Sequence, residues 1–426
     1  MLRALAASTL VVLVARSQAH FVWAQFRAAE KREVVVSFAE APGDSVLEMM
    51  NKVGNRISVV SKGAAKGETK IPTETTYPWL GTKGIYMGTL DYGVVDHGQG
   101  PYMLTYWFKA VSRPVQAAQV VGKGLELVAT QKANHWDVKV LKDGKPCPDA
   151  EVVWGPEGKE HKESAKNIVS IDIPETPSAL PIKASLAVKT AGTFDGKAFP
   201  TKKEWTTLVL PEVGRAPAGA DETAYLALQN ATMSRDAISK GFGYSCSFTA
   251  TDGKKSGTGT VAVDAAGKVT VTVEGLEAGF SKHVQGQVQS LFSHRVGGTF
   301  WKGEGRYPLT WSKDSKGLLS VNDKMQSFYR MNKTGFSMVQ RTFGPKILVL
   351  DIKSTVETPY GGVLSKEFAS TEKQVSDGKV VSKLTYKDDF TPFLDEWMPK
   401  SRTVVGEISD HKVTMSVTFT DYKLVK

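Results

Sequence analysis

Only two cysteines, Cys147 and Cys246, occur in 426 residues. That excludes a disulfide-built scaffold and any cysteine-rich zinc or iron–sulfur centre. The phosphate-loop pattern GxxxxGK[ST], the GxGxxG fingerprint, HExxH and GxSxG are all missing. Their absence weakens nucleotide-binding, zinc-protease and serine-hydrolase readings. Past the N-terminus no stretch offers the roughly 18–20 unbroken apolar residues of a membrane-spanning helix. Gly (39) and Pro (19) stand near ordinary abundance, so collagen-like and low-complexity readings drop out. With 41% hydrophobic and 23% charged residues the balance is that of a globular protein, and the length calls for more than one core.

What is present begins with an address. Residues 1–19, MLRALAASTLVVLVARSQA, carry Arg3 near the start, an apolar stretch from Ala4 to Val14 and the small-x-small ending Ser17-Gln18-Ala19. This is the layout of a secretory signal peptide, marred by Arg16 close to the cut. The expectation is a periplasmic or extracellular protein whose mature chain starts at His20 and has no transmembrane helix. Losing Arg3 and Arg16 lowers the formal net charge from +10 to +8. The excess is scattered, without a basic run or basic helix, which fits a solvated surface, and no nucleic-acid partner is expected. Cys147 and Cys246 read as unpaired, partly buried thiols.

The mature chain is dominated by short runs of alternating polarity. Glu33–Glu40, Ile57–Lys62 and Pro101–Ala110 predict strands, and in the last Tyr102, Leu104, Tyr106 and Phe108 share a face. Further strands are expected at 124–130, 135–141, 150–154 and 205–210, with Asp-Gly turns at 143–144, 195–196, 252–253 and 377–378. The predicted fold is mainly β. Two immunoglobulin-like β-sandwich modules, 20–112 and 113–210, precede a linker at 211–220 rich in small residues, Pro and Gly. An α+β domain at 221–426 follows, with a curved antiparallel sheet and two helices. Asp221 is placed to cap a helix through about Lys240, and Phe280, Val284, Val288 and Leu291 predict a second over Glu277–His294. Phe242–Thr251 and Lys412–Tyr422 read as strands with one apolar face.

His20 is the sharpest chemical feature. As a first residue it would offer an α-amine and an imidazole, two nitrogen donors that suit copper or nickel, and a second imidazole would complete a three-nitrogen site. His97, in the loop Asp96-His97-Gly98, is the candidate partner. Against this, a loop histidine is ordinarily a polar surface residue. His135 and His161 read as exposed, and His283 and His294, eleven apart on one helix, suit packing better than chelation. The acid pairs Asp388-Asp389 and Asp395-Glu396 read as solvated and receive no role. Tyr77, Trp79, Tyr86, Tyr92, Tyr102, Tyr106, Trp107 and Phe108 form an aromatic cluster, expected as sandwich core rather than a sugar-stacking platform.

The segments His20-Phe21-Val22-Trp23, Val34–Glu40, Asp91-Tyr92-Gly93-Val94, Tyr102–Ala110 and the stretch from Asp143 to Val152 resemble a family of exported bacterial proteins of unknown function, grouped with periplasmic components of nickel and cobalt uptake. The resemblance covers about 20–212. It implies tandem immunoglobulin-like modules, the second related to carboxypeptidase-regulatory domains, and carries His20 over as a metal ligand. Gln287–Arg295, Tyr329–Arg341 and the closing strands resemble a second bacterial family of unknown function, over about 225–425. The helix-and-curved-sheet pattern is also similar to half-barrel lipoprotein carriers, as a fold. The functional expectation is an exported binding protein that captures copper, nickel or cobalt through His20 and His97 for storage or delivery. The alternative is a non-catalytic structural or interaction module with a protein partner in the cell envelope. A copper-dependent oxidative enzyme ranks last.

Overall fold

The computed structural model describes residues 20–27, 33–42, 53–60, 76–77, 85–98, 100–111, 113–156, 159–238, 243–298, 300–314, 316–320, 323–358, 362–394 and 396–425. The expected signal peptide, Trp79, Lys240, Phe242 and Asp395 lie outside the described residues, as does the Tyr77 side chain. The chain is mainly β, with helices α1 (Pro114–Ala117), α2 (Glu222–Met233) and α3 (Ala278–Ser293).

In the N-terminal half one seven-stranded sheet runs in the order His161–Ser164, Glu151–Trp154, Ser178–Val188, Thr201–Val213, Tyr102–Ala110, Tyr86–Val95, Ile57–Val59. It crosses the position expected to divide two modules, because Thr201–Val213 pairs in parallel with Tyr102–Ala110. Alternation along Thr201–Val213 then serves two cores. Leu208 and Leu210 face a core shared with Leu127, Trp136 and Val138, while Val209 joins one built on Phe21, Val36 and Phe38. The first core is closed by the sheet Val169–Asp172, His135–Lys142, Leu125–Gln131, and the second by Phe21–Arg27, Glu33–Ala39, Thr76–Tyr77. Tyr106 and Phe108 are core residues, with Tyr86, Tyr92 and Tyr102 packed against them. The described part of the aromatic cluster is therefore interior. Turn chemistry follows the sequence: Asp143-Gly144 and Asp195-Gly196 take positive φ at both positions, as a two-residue hairpin turn demands.

Lys109, on the same strand as Phe108 but the opposite face, is buried completely against the equally buried Glu126 at 2.9 Å. Its Nζ also donates to the Gln119 carbonyl at 2.6 Å. Glu126 in turn accepts from the backbone amides of Val121 and Gly122. Burial pushes the lysine pKa down and the Glu126 charge pushes it back up. This pair ties the shared sheet to the segment that follows α1.

The expected linker is held at several points. The Tyr225 hydroxyl donates to the carbonyls of Gly214 and Arg215, and the Ala216 amide to that of Ala133. Beyond it, twelve strands form one antiparallel sheet. Its order is Val269–Glu274, Ser256–Val263, Tyr244–Thr251, His411–Leu424, Glu396–Ile408, Val380–Phe393, Val363–Gln374, Lys346–Glu357, Gly335–Phe343, Phe328–Asn332, Leu318–Ser320, Leu309–Trp311. Asp221 caps α2 by accepting from the Ala224 amide at 2.9 Å. The helix stops at Met233 rather than near Lys240, because the backbone from Ser234 to Ile238 turns to bridge Val363 on one side and Val296 on the other. Val284, Val288, Leu291 and Phe292 of α3 are buried against Tyr244, Phe248, Val271 and Phe419. A second cluster packs Tyr225 and Leu228 of α2 on Phe300, Leu318 and Tyr329. Cys147 and Cys246 are both buried and unpaired, as expected.

Glu126→Ala is expected to cost about 3–5 kcal/mol in urea unfolding, because it strands the Lys109 charge in the interior. Lys109→Met combined with Glu126→Leu should be more stable than Glu126→Ala alone. A loss under about 1 kcal/mol for the single variant would contradict this role.

Candidate functional site

Between the two helical clusters the inner face of the large sheet bounds a cavity of about 790 Å³, which no further helix among the described residues fills. That lies within the range of about 300–1,000 Å³ occupied by small-molecule sites. Alternate residues of the central strands line it: Val339, then Leu348, Leu350 and Ile352, then Phe368, then Leu384 and Tyr386. The period is that of strands with one face inward. Yet Leu348, Leu350 and Ile352 stay half-buried, unlike apolar residues of the two flanking clusters. Phe368 and Tyr386 stack with ring centroids 4.4 Å apart, forming a flat aromatic section of the wall.

Charged groups gather along the wall near α3 and the turn after α2. Arg402 makes a two-pronged contact with Asp388, at 2.7 and 2.6 Å, and donates to the Gln287 carbonyl of α3 at 3.1 Å. Arg295 donates to the carbonyl of Asp236 at 2.9 Å and also contacts the Trp397 carbonyl. It thereby clamps the turn after α2 to the end of α3 and to Glu396–Ile408. Gly362 is required beside this turn, since a Cβ there would come within 2.5 Å of the Asp236 Cβ. Arg341 reaches Glu304 at 2.8 Å. Arg235 donates to the His294 carbonyl at 2.9 Å.

Arg235 and His294 are exposed residues that both line the cavity. Burial, followed by the nearby charges of Arg235, Arg402 and Arg341, holds the His294 pKa below the ordinary histidine value. Burial alone lowers that of His283, whose Nε2 is buried without a hydrogen-bond partner among the described residues.

The acid pair Asp388-Asp389 departs from its expected solvation. The β period turns Asp389 outward and Asp388 inward, where it is 2% exposed and locked to Arg402. Glu396 is likewise buried. His283 and His294 both face the cavity rather than a shared metal. No short motif marks Arg235, Arg341 or Arg402, which lie on separate elements more than fifty residues apart. The available signal was scarcity of cover: two helices for a domain otherwise made of strands.

In the N-terminal half, His20 stacks on Phe38 with centroids 5.8 Å apart, and its carbonyl accepts from the Tyr106 hydroxyl at 3.1 Å. The His97 Nδ1 meets the Tyr102 hydroxyl at 3.2 Å. Both contacts belong to one face of Tyr102–Ala110, four residues apart, so each histidine is held by its own tyrosine. His135 contacts Asp137 at 3.2 Å, and His161 stacks on Trp154. Among the described residues no three His, Cys, Asp or Glu side chains gather as a metal site.

The domain that encloses the cavity matches a family model. Residues 220–425 match a family described as Protein of unknown function (DUF3386). The matched span coincides with the large sheet and its helices, agreeing with the unknown-function resemblance expected for 225–425. No curated protein matches the chain. Among the described residues no helix is long and apolar enough to cross a membrane.

The depressed histidines set the sign of a pH effect. Below the ordinary histidine pKa of about 6.5 the unfolded chain takes up protons that the folded cavity wall resists, so stability is lost as pH falls. The melting temperature should therefore drop between about pH 7.5 and 5.5, and His283→Asn with His294→Asn should flatten that slope. An unchanged slope in the double variant would show that other groups control it.

Proposed function

We propose that residues 221–426 form a binding module that encloses an apolar or amphipathic small molecule against the concave face of the sheet. The carrying observation is the inward row Leu348, Leu350 and Ile352, apolar and half-buried on a part of the wall that no helix among the described residues covers. Apolar surface left uncovered costs stability at roughly 25 cal/mol per Å², and a matching ligand recovers it. Binding suits the wall better than acid–base catalysis, since Asp388 and Glu304 on it are engaged by Arg402 and Arg341.

The neutral fluorescent probe N-phenyl-1-naphthylamine tests this reading. Its emission should rise on binding to the full chain with saturation in the micromolar range. Leu350→Trp, which fills the space, should weaken binding about tenfold while leaving the melting temperature within a few degrees. Equal affinity in both proteins would place the probe elsewhere and sink the cavity reading.

A second reading concerns the N-terminal half and is favoured by the anchoring of His20. With its ring stacked on Phe38 and its carbonyl held by Tyr106, the residue is fixed at the edge of the aromatic core. In an exported chain cut after Ala19, its amine and imidazole would take copper, nickel or cobalt, with His97 as further ligand. Calorimetric titration with copper and nickel should then give submicromolar one-to-one binding that His20→Ala abolishes and His97→Ala weakens. Equal, weak binding by all three proteins would remove the metal role and leave an envelope structural or interaction module as the account of this half.

A further inference from the structure

The charges lining the cavity do not balance. Four of its cations have acidic partners: Arg402 with Asp388, Arg295 with Asp236, Arg341 with Glu304, and Lys346 with Glu372. The fifth, Arg235, is in ion-pair contact with none of the described carboxylates. Its recorded bond is the one donated to the His294 carbonyl, which leaves most of the five N–H donors of a guanidinium unused.

The surroundings of Arg235 sharpen the imbalance. Arg295 and Arg341 stand close enough to oppose its charge, with Glu304 the nearby anion that offsets them. A guanidinium keeps its proton even so, because its ordinary pKa lies above 12. The repulsion of a cation crowded by like charges is then relieved by bringing an anion to it. A spare donor is present near it: the Nε of Arg341, a cavity-lining residue, is buried with no hydrogen-bond partner among the described residues.

We infer that the molecule held in the cavity is an amphiphile whose anionic head, a carboxylate or a phosphate ester, docks on Arg235, with its apolar tail along Leu348, Leu350 and Ile352. This rests on the cavity reading above and adds the class of ligand. An arginine fork fits either head, since both present paired oxygens to two N–H donors. The apolar wall supplies affinity without regard to the head, and Arg235 supplies the discrimination between charged and neutral heads.

The test uses the full chain and three ligands of one tail length: palmitate, hexadecyl phosphate and hexadecanol, each displacing bound N-phenyl-1-naphthylamine below its micelle threshold. The native protein should bind at least one of the two anions about tenfold more tightly than the alcohol, and which one it prefers identifies the head. Arg235→Ala and Arg235→Gln should each remove that preference while leaving hexadecanol affinity unchanged. Arg235→Lys should keep part of it. Melting curves of the Arg235 variants should match or exceed the native curve, because a crowded cation has been removed. Anions and alcohol binding equally to the native protein, or a preference that survives both Arg235→Ala and Arg235→Gln, would overturn the anionic-head inference while the cavity reading stands. If none of the three ligands displaces the probe, and Leu350→Trp does not alter probe binding, the cavity reading itself fails.

Discussion

Cover is the limiting quantity in the C-terminal half. Twelve strands at about 4.8 Å spacing make a sheet far wider than the roughly 10–12 Å breadth of a helix. Helix α3, with 16 residues, is only about 24 Å long. A sheet with an apolar face must bury that face, and here it does so by curling around α3 and α2 at its two ends. Between those ends the strand Lys346–Glu357 is left with inward residues Leu348, Leu350 and Ile352 that join neither helix's cluster. The cavity is thus the geometric remainder of an over-wide sheet and two short helices.

Closing such a sheet without a further strand requires a clamp across the gap, and charge supplies it. Arg295, 4% exposed, holds the turn after α2, the end of α3 and the strand Glu396–Ile408 through one guanidinium. Arg402 does the same between Asp388 and the α3 backbone. Buried pairs of this sort add little net stability over apolar packing, but their geometry is exacting. They hold a fixed opening where an apolar contact would invite collapse. The N-terminal half uses the same device in the Lys109–Glu126 pair, where the shared sheet meets the segment after α1.

Local chemistry was legible in the sequence, and placement in space was not. The Asp221 cap, the apolar stripe of α3, the Asp-Gly turns and the inward face of Tyr102–Ala110 all follow from propensity and period, and all occur. The continuity of the seven-stranded sheet does not follow, because it depends on a parallel pairing between residues about a hundred positions apart. Adjacent acids illustrate the same limit. Asp388 and Asp389 are identical in type and neighbouring in sequence, yet the pleat buries one against Arg402 and leaves the other in solvent. The cationic wall was hidden for a related reason: Arg235, Arg341 and Arg402 converge only through strand register and the turn that ends α2.

That turn also links the two halves. At its N-terminal end α2 meets the first half, where Glu222 accepts from the Ala133 amide at 3.0 Å and the Tyr225 hydroxyl holds the carbonyls of Gly214 and Arg215. Gln229, fully buried, exchanges hydrogen bonds with Gln131. At its other end the helix runs into Ser234 and Arg235, on the cavity wall. A helix of 12 residues has no soft joint in its interior, so the position of Arg235 is referred to the N-terminal half as well as to the sheet. The same rigidity explains why α2 stops at Met233. Continued helix would carry Arg235 away from Val363 and His294, whereas the extended turn pairs its backbone with the strand and directs its side chain to the end of α3.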